Sequence, residues 1–428
     1  MKKLRCSTVL LLWLLAVTTA MGQVVADDGV VVVEEESVDE EAPADTVALD
    51  VLPVDSTLLW PQNVTTKLSR LLTSSIFETS HVGMLVYDLS ADSTIFSHNA
   101  RQLMRPASTE KMVNAVASLD RLGGSYLFRT RLLVTGDVDT LRTLRGNIYL
   151  AGGMDPLFNN DDMRAFVESI RQQGIDTIRG NICADQTMKD DKIWGEGWCW
   201  DDDNPDLVPL LINGENKFMK RFCQELRRSG IILVGDTIAS TTPSKARLLC
   251  NRTHTMDQVL QRMLKESDNL FAECLFYQLA TKSGQRGPAT AKGARSVVNQ
   301  LIKKVGLTPS NYYIADGSGL SLYNYVSPEL EVRLLRYAWE NDNILTHLLP
   351  ALPLAGVDGT LKSRMTKTAA QGNVRAKTGT VMGVSSLAGY CVAANGHQLC
   401  FAIMNMGIRK SQTGRSFQDR VCEVLCGK

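Results

Sequence analysis

The chain has 428 residues, 44% of them hydrophobic and 21% charged, enough apolar material for a large core and two or three domains. Its 46 basic and 46 acidic residues cancel, so the balance is not that of a strongly basic nucleic-acid-binding protein. Taken in order, Lys2, Lys3 and Arg5 precede an apolar run from Val9 to Val17, then small residues ending in Ala20-Met21-Gly22. This is the pattern of a cleaved secretory signal over residues 1–22, cut after Gly22 or after Ala20. The run is short for a membrane span, and no later segment is apolar enough to be one. Cys6 lies ahead of the apolar run and does not mark a lipid-attached cysteine.

From Val24 to Ser56 the chain holds eleven Asp or Glu and no Lys or Arg, which predicts a flexible acidic leader over residues 23–56. The neutral total hides an asymmetry: residues 57–428 carry 43 basic and 35 acidic groups. A mildly basic body suits an anionic polymer without selecting one.

Val64 to Leu72 is then expected as a helix, and His81 to Leu89 with Thr94 to Phe96 as paired strands. Arg105-Pro106-Ala107-Ser108-Thr109-Glu110-Lys111 opens a second helix, with Ser108 as N-cap or first-turn residue. Texture changes near residue 130. Thr130–Thr135 and Gly146–Leu150 suggest a hairpin, Gly152-Gly153-Met154-Asp155-Pro156 breaks it, and Met163–Gln173 and Asn216–Ser229 read as helices. Between them Trp194 to Asp203 holds three of the six tryptophans, either the border of a ligand groove or a packed loop with exposed acids. The Asp cluster there lacks the spacing of a calcium loop. No HExxH or other metal-ligand spacing, phosphate loop or G-x-S-x-G elbow occurs, so neither metal nor cofactor is expected.

After about Arg247 the first texture returns. Met256 to Thr281 is a long helical stretch, interrupted at Ser267-Asp268-Asn269 by an expected turn between two helices. Asp316-Gly317-Ser318-Gly319-Leu320-Ser321 is a tight turn, Ser327-Pro328-Glu329 opens a helix, and Val374–Thr380 is a strand. Ala388–Ala393 and Gln398–Met404 form a hairpin around Asn395-Gly396, a strong type I′ signal. That turn pairs Cys391 with Cys400 as neighbours on one face, placed to bridge in an oxidising compartment or to remain two buried thiols. Cys422 and Cys426 read as core residues of a terminal helix. The whole is an α/β fold: a domain from 57–129 and 249–428, interrupted by an inserted α+β domain at 130–248.

The chemistry gathers on three short motifs. Ser108 and Lys111 stand three apart, on one helix face, and no other serine in the chain has a lysine at that spacing. A lysine next to a serine can be its base if burial and neighbouring cations lower its pKa, and a helix N-terminus adds backbone N–H groups for an oxyanion. Ser267-Asp268-Asn269 and Lys377-Thr378-Gly379-Thr380 follow in order. Two decoys, Lys282-Ser283-Gly284 and Ser97-His98-Asn99, fail on position.

SxxK, SDN and KTG in that order resemble the class C low-molecular-mass penicillin-binding proteins, the D-alanyl-D-alanine carboxypeptidase/endopeptidase family. Lys265-Glu266-Ser267-Asp268-Asn269, Gly152 to Pro156, Asp316 to Ser321 and Asp358-Gly359-Thr360-Leu361 extend the resemblance from about residue 57 to the end. The insertion is shorter than is typical of that family. The resemblance implies a serine β-lactamase/transpeptidase-like fold, an antiparallel sheet with helices on both faces. It implies catalysis by Ser108 as nucleophile, Lys111 as its base, and Ser267 with Lys377 passing a proton to the leaving amine. Asn269, Thr378 and Thr380 would bind substrate, and the Ser108 and Thr380 N–H groups would form the oxyanion hole. The partners implied are peptidoglycan stem peptides, with β-lactam antibiotics as covalent inhibitors, no nucleic acid and no membrane span after signal removal; the place is the periplasm. Two ammonium groups facing one cleft are expected to disfavour each other's charge, freeing Lys111 of its proton. The rivals are a β-lactamase and a non-catalytic peptidoglycan-binding protein. Against the first, none of Glu273, Glu329, Glu331 and Glu340 has an asparagine four residues on; against the second, Ser108 and Lys111 are both present.

Overall fold

The computed structural model describes residues 58–202, 204–284 and 286–427; the expected signal and acidic leader lie outside the described residues. The main sheet has five strands, β1 (His81–Asp88), β2 (Ser93–His98), β3 (Arg375–Val381), β4 (Val384–Val392) and β5 (Gln398–Met406). They lie in the order β3-β4-β5-β1-β2, with every neighbouring pair antiparallel. Successive side chains of a strand point to opposite faces, and here both faces are covered. Leu399, Phe401 and Ile403 of β5 join a core with the helices Gln62–Leu71 and Ser411–Cys426. Cys400, Ala402 and Met404 join the larger core on the other side. That second core holds the helices Glu110–Leu122, Met256–Lys265, Asn269–Ala280, Ala291–Lys304 and Pro328–Trp339. This is why the central strands read as unbroken apolar runs rather than alternating ones.

One expected register is overturned. The β4–β5 loop is Ala394-Asn395-Gly396, a three-residue turn closed by Gly396 at φ 86°, with Gly396 N donating to Ala393 O and Ala393 N to His397 O, both at 2.9 Å. A residue in the left-handed region at that place belongs to the three-residue hairpin rather than the two-residue one. Pairing therefore runs Cys391 to Leu399 and Tyr390 to Cys400. A slip of one residue turns a side chain to the other face. Cys391 packs with Cys422 and Cys426, Cys400 with Tyr390 and Met404, both thiols are free and buried, and the expected Cys391–Cys400 bridge is excluded.

The segment between the two parts of the main fold carries two sheets of its own. Strands Leu127–Val134 and Arg247–Thr255, paired antiparallel, are its entry and exit. They extend into a five-stranded mixed sheet through Ile148–Ala151, Ile182–Asp185 and Thr237–Ala239. A four-stranded sheet and the helices Asn160–Gln172 and Phe218–Arg228 complete it. Phe158, Phe166, Phe218 and Phe222 fill its core. Among the described residues no helix is long and apolar enough to cross a membrane.

Candidate active site

Ser108 does not cap the helix, contrary to one expectation. It lies in a 3-10 turn, Ala107–Thr109; Thr109 takes the N-cap place, and its hydroxyl donates to Pro106 O at 2.9 Å. Ala107, just before the serine, is held at φ 49°, a left-handed conformation that costs a non-glycine residue about 1 kcal/mol or more. The turn is clamped on two sides by backbone too close for any side chain. A Cβ on Gly319 would fall 1.9 Å from Ala107 O, and one on Gly379 would fall 3.0 Å from Ser108 N. The Ser108 hydroxyl is thus left free, half-buried, and 3.0 Å from the Lys111 amine.

Lys111 is fully buried, and its amine also donates to Asn269 Oδ1 at 2.6 Å and to Ser318 O at 2.8 Å. A neutral amine has two hydrogens and one lone pair. As an ammonium Lys111 donates to all three partners; once neutral, with its two hydrogens on Asn269 and Ser318, it leaves its lone pair to the Ser108 O–H. The same helix face continues the polar stripe: Asn114 donates to Ala272 O and Gly317 O, and Ser118 to Asn114 Oδ1.

The second motif folds as an abrupt kink. Met256–Lys265 ends, Ser267 stands at φ 63°, and Asp268 caps the next helix by accepting Phe271 N at 3.2 Å. Asn269 is that helix's first residue. Lys377, on β3 and fully buried, donates to Ser267 Oγ and to Thr378 O, each at 2.8 Å. Thr378 Oγ1 lies 2.8 Å from Thr360 Oγ1. Hydrogen bonds join six of the seven sequence-predicted residues in two groups, Ser108–Lys111–Asn269 and Ser267–Lys377–Thr378, which meet at the Ser267-Asp268-Asn269 kink; Thr380, exposed, lies two positions beyond Thr378 on the same strand.

Burial is the first cause of the lysines' altered acidity. It pushes Lys111 down to about 8, while the carboxylates of Asp316, Glu273, Asp268 and Glu110 pull the other way. Lys377 falls well below the ordinary lysine value through burial and then through the Lys111 charge. The expected mutual repulsion is therefore secondary to desolvation and falls on Lys377. Nearby, burial raises Glu110 well above the usual carboxyl range and Glu273 and Glu331 to about 8, with Asp316 adding to the shift of the first two. Among the described residues no group of three or more His, Cys, Asp or Glu is arranged to hold a metal ion.

Sequence reasoning assigned no role to Ser318, Asp316, Asn114, Thr360 or Trp198. The polar stripe Lys111, Asn114, Ser118 at i, i+3, i+7 inside an apolar helix was the available signal. Trp198 is partly buried and its indole donates to Asp316 Oδ2 at 2.9 Å, whereas Asp201 and Asp202 are exposed.

The model of the D-Ala-D-Ala carboxypeptidase 3 (S13) family matches residues 64–209 and 209–425. The chain is similar to the D-alanyl-D-alanine carboxypeptidase DacB of Haemophilus influenzae, 26% identical over 415 residues, covering 77% of this chain and 86% of that one. It is also similar to the D-alanyl-D-alanine carboxypeptidase of Actinomadura sp., 24% identical, covering 79% and 80% of the two chains. In fold it matches the crystal structure of penicillin binding protein 4 from H. influenzae with a TM-score of 0.75 at 24% identity, over 85% of this chain and 98% of that one. That protein complexed with a β-lactam matches with a TM-score of 0.69 at 25% identity, again over 85% and 98%.

Proposed function

The chain belongs to the D-Ala-D-Ala carboxypeptidase 3 (S13) family, the class C penicillin-binding proteins, and is a serine-type D-Ala-D-Ala carboxypeptidase; on that premise we propose that it works through an acyl-enzyme on Ser108. Lys111, neutral, takes the hydroxyl proton as Ser108 Oγ attacks the carbonyl between two D-alanines. The N–H groups of Ser108 and Thr380 hold the oxyanion. Ser267 delivers a proton to the departing amine, replaced through Lys377, and D-alanine leaves. Water then cleaves the ester. Asn269 spends its carbonyl on Lys111, so its amide N–H groups remain for the substrate's backbone. Thr378 and Thr380, with the Thr360 hydroxyl beside them, receive the terminal carboxylate.

The substrate is a peptidoglycan stem peptide, and the same acylation extends to endopeptidase cleavage of D-Ala-containing crosslinks. β-Lactams acylate Ser108 as covalent inhibitors. The protein acts in the periplasm after loss of the 1–22 signal, and its plan is a peptidase domain, 57–129 and 249–428, with an insert at 130–248. One observation carries the reading: a buried amine within hydrogen-bond distance of Asn269 Oδ1, Ser318 O and the Ser108 hydroxyl at once. Ser108→Ala is expected to abolish covalent labelling by fluorescent penicillin while circular dichroism and melting stay those of the folded protein. Labelling that survives in the variant means another nucleophile.

A further inference from the structure

The Ser318 carbonyl is one of the acceptors that orient the Lys111 amine, so whatever holds that carbonyl helps to orient the proposed base. Asp316 organises the turn. Its Oδ1 accepts Gly319 N at 2.8 Å and Asn324 Nδ2 at 2.7 Å, and its Oδ2 accepts Ser321 N at 2.7 Å. The remaining donor comes from elsewhere: Trp198 Nε1 at 2.9 Å, 118 positions away in the chain. An indole has one N–H and no acceptor, so this bond is its whole hydrogen-bonding capacity.

The loop that brings Trp198 is itself fastened to the main fold. Glu196 accepts from Arg295 and Tyr313 at 2.6 Å each. Gly197, at φ 76°, sits so close that a Cβ would lie 2.8 Å from Ser321 Oγ and 2.6 Å from the Tyr323 ring. The Trp198 ring packs on the larger core. A loop of the inserted segment thus ends directly on the carboxylate that shapes the lysine's turn.

We propose that Trp198 is a positioning residue for Lys111, acting through Asp316: its N–H completes the carboxylate's bonds and holds the Ser318 carbonyl where the amine needs it. The proposal rests on the roles of Ser108 as nucleophile and Lys111 as its base. Its electrostatic side is separable from its steric side. The groups facing Lys111 are Asp316, Glu273, Asp268 and Glu110, with the Lys377 amine opposite and Glu331 facing Glu110. Of the carboxylates, Asp316 acts most strongly on Lys111. Without the indole donor its charge is less compensated and holds the Lys111 proton more tightly, whereas without the charge that hold is gone.

The test is the pH dependence of the Ser108 acylation rate, followed with fluorescent penicillin in full-length protein. Trp198→Phe keeps the ring and removes the N–H. It is expected to slow acylation at pH 7 about tenfold or more and to move the midpoint of the rate's rise to higher pH. Asp316→Asn is expected to move the midpoint to lower pH. Glu196→Gln, which loosens the same loop without touching the indole bond, is expected to leave the midpoint in place. Opposite shifts from the two ends of one hydrogen bond are not the result of general loosening. A Trp198→Phe profile superimposable on wild type, or an equal shift in Glu196→Gln, overturns the coupling and leaves the Ser108 reading standing. Wild-type protein that does not label at Ser108 overturns that reading, and the coupling with it.

Discussion

A lysine amine in water keeps its proton to about pH 10, and a protonated amine cannot take one from serine. Lys111 is fully buried, and burial brings it down to about 8 against the pull of four acidic neighbours. In the proposed role the deprotonated form is the active one, so acylation of Ser108 is expected to rise with pH and reach half its maximum near 8. Stopped-flow labelling across pH 6 to 9.5 checks it; a rate flat through that window removes Lys111 from the role of base. Lys111→Ala should slow acylation by about 10²–10⁴-fold, the usual range for a lost general base. Wild-type acylation rates in that variant would assign the base to another group.

At the scale of elements, the helix Pro328–Trp339 carries Glu331 fully buried, and burial raises its carboxyl from 4.5 to about 8. A carboxyl raised on folding contributes stability that is complete below its unfolded value and lost as pH climbs through the folded one. Melting temperature is therefore expected to fall between about pH 4.5 and 8, and Glu331→Gln, which cannot ionise, should flatten that fall. Equal slopes in variant and wild type would show that Glu331 does not carry the effect. The β4–β5 hairpin makes a covalent prediction. Cys391 and Cys400 stand on opposite faces of the sheet, and a disulfide needs Cβ atoms about 4 Å apart on the same side. Non-reducing peptide mapping should find no Cys391–Cys400 linkage even in oxidised preparations; finding it would mean the register is wrong. Asn-Gly pointed to a two-residue turn, but the left-handed residue the sequence advertises also closes a three-residue turn. The count from the turn depends on which one the flanking strands select, and that selection is made by packing on both faces.

Over the whole molecule, the absence of a Glu-x-x-x-Asn between Asn269 and Lys377 bears on the fate of the acyl-enzyme. A D-alanine leaving group diffuses away and lets water in. Penicillin's leaving amine stays tethered in the opened ring and goes on obstructing water. With the proposed oxyanion hole but no glutamate of that pattern to activate water around the obstacle, penicilloyl release is expected to be slow while peptides ending in D-Ala-D-Ala turn over. Mass spectrometry of the acyl-enzyme and D-alanine release, followed in one preparation, check both. Rapid multiple turnover of penicillin without D-alanine release would indicate a β-lactamase.

The sequence by itself determined the three motifs, their order and the α/β class. Each of these is written in local spacing: three residues set a helix face, and a kink between two helices needs only Ser267-Asp268-Asn269. Tertiary structure alone decided which atoms surround the amine of Lys111. Ser318, Asp316 and Trp198 lie far from it in the chain, and they act by a carbonyl, a carboxylate and an indole N–H whose directions local spacing does not encode. It also decided the charge of the site, because a pKa is set by the water that folding removes, and burial belongs to the packed molecule rather than to any stretch of it.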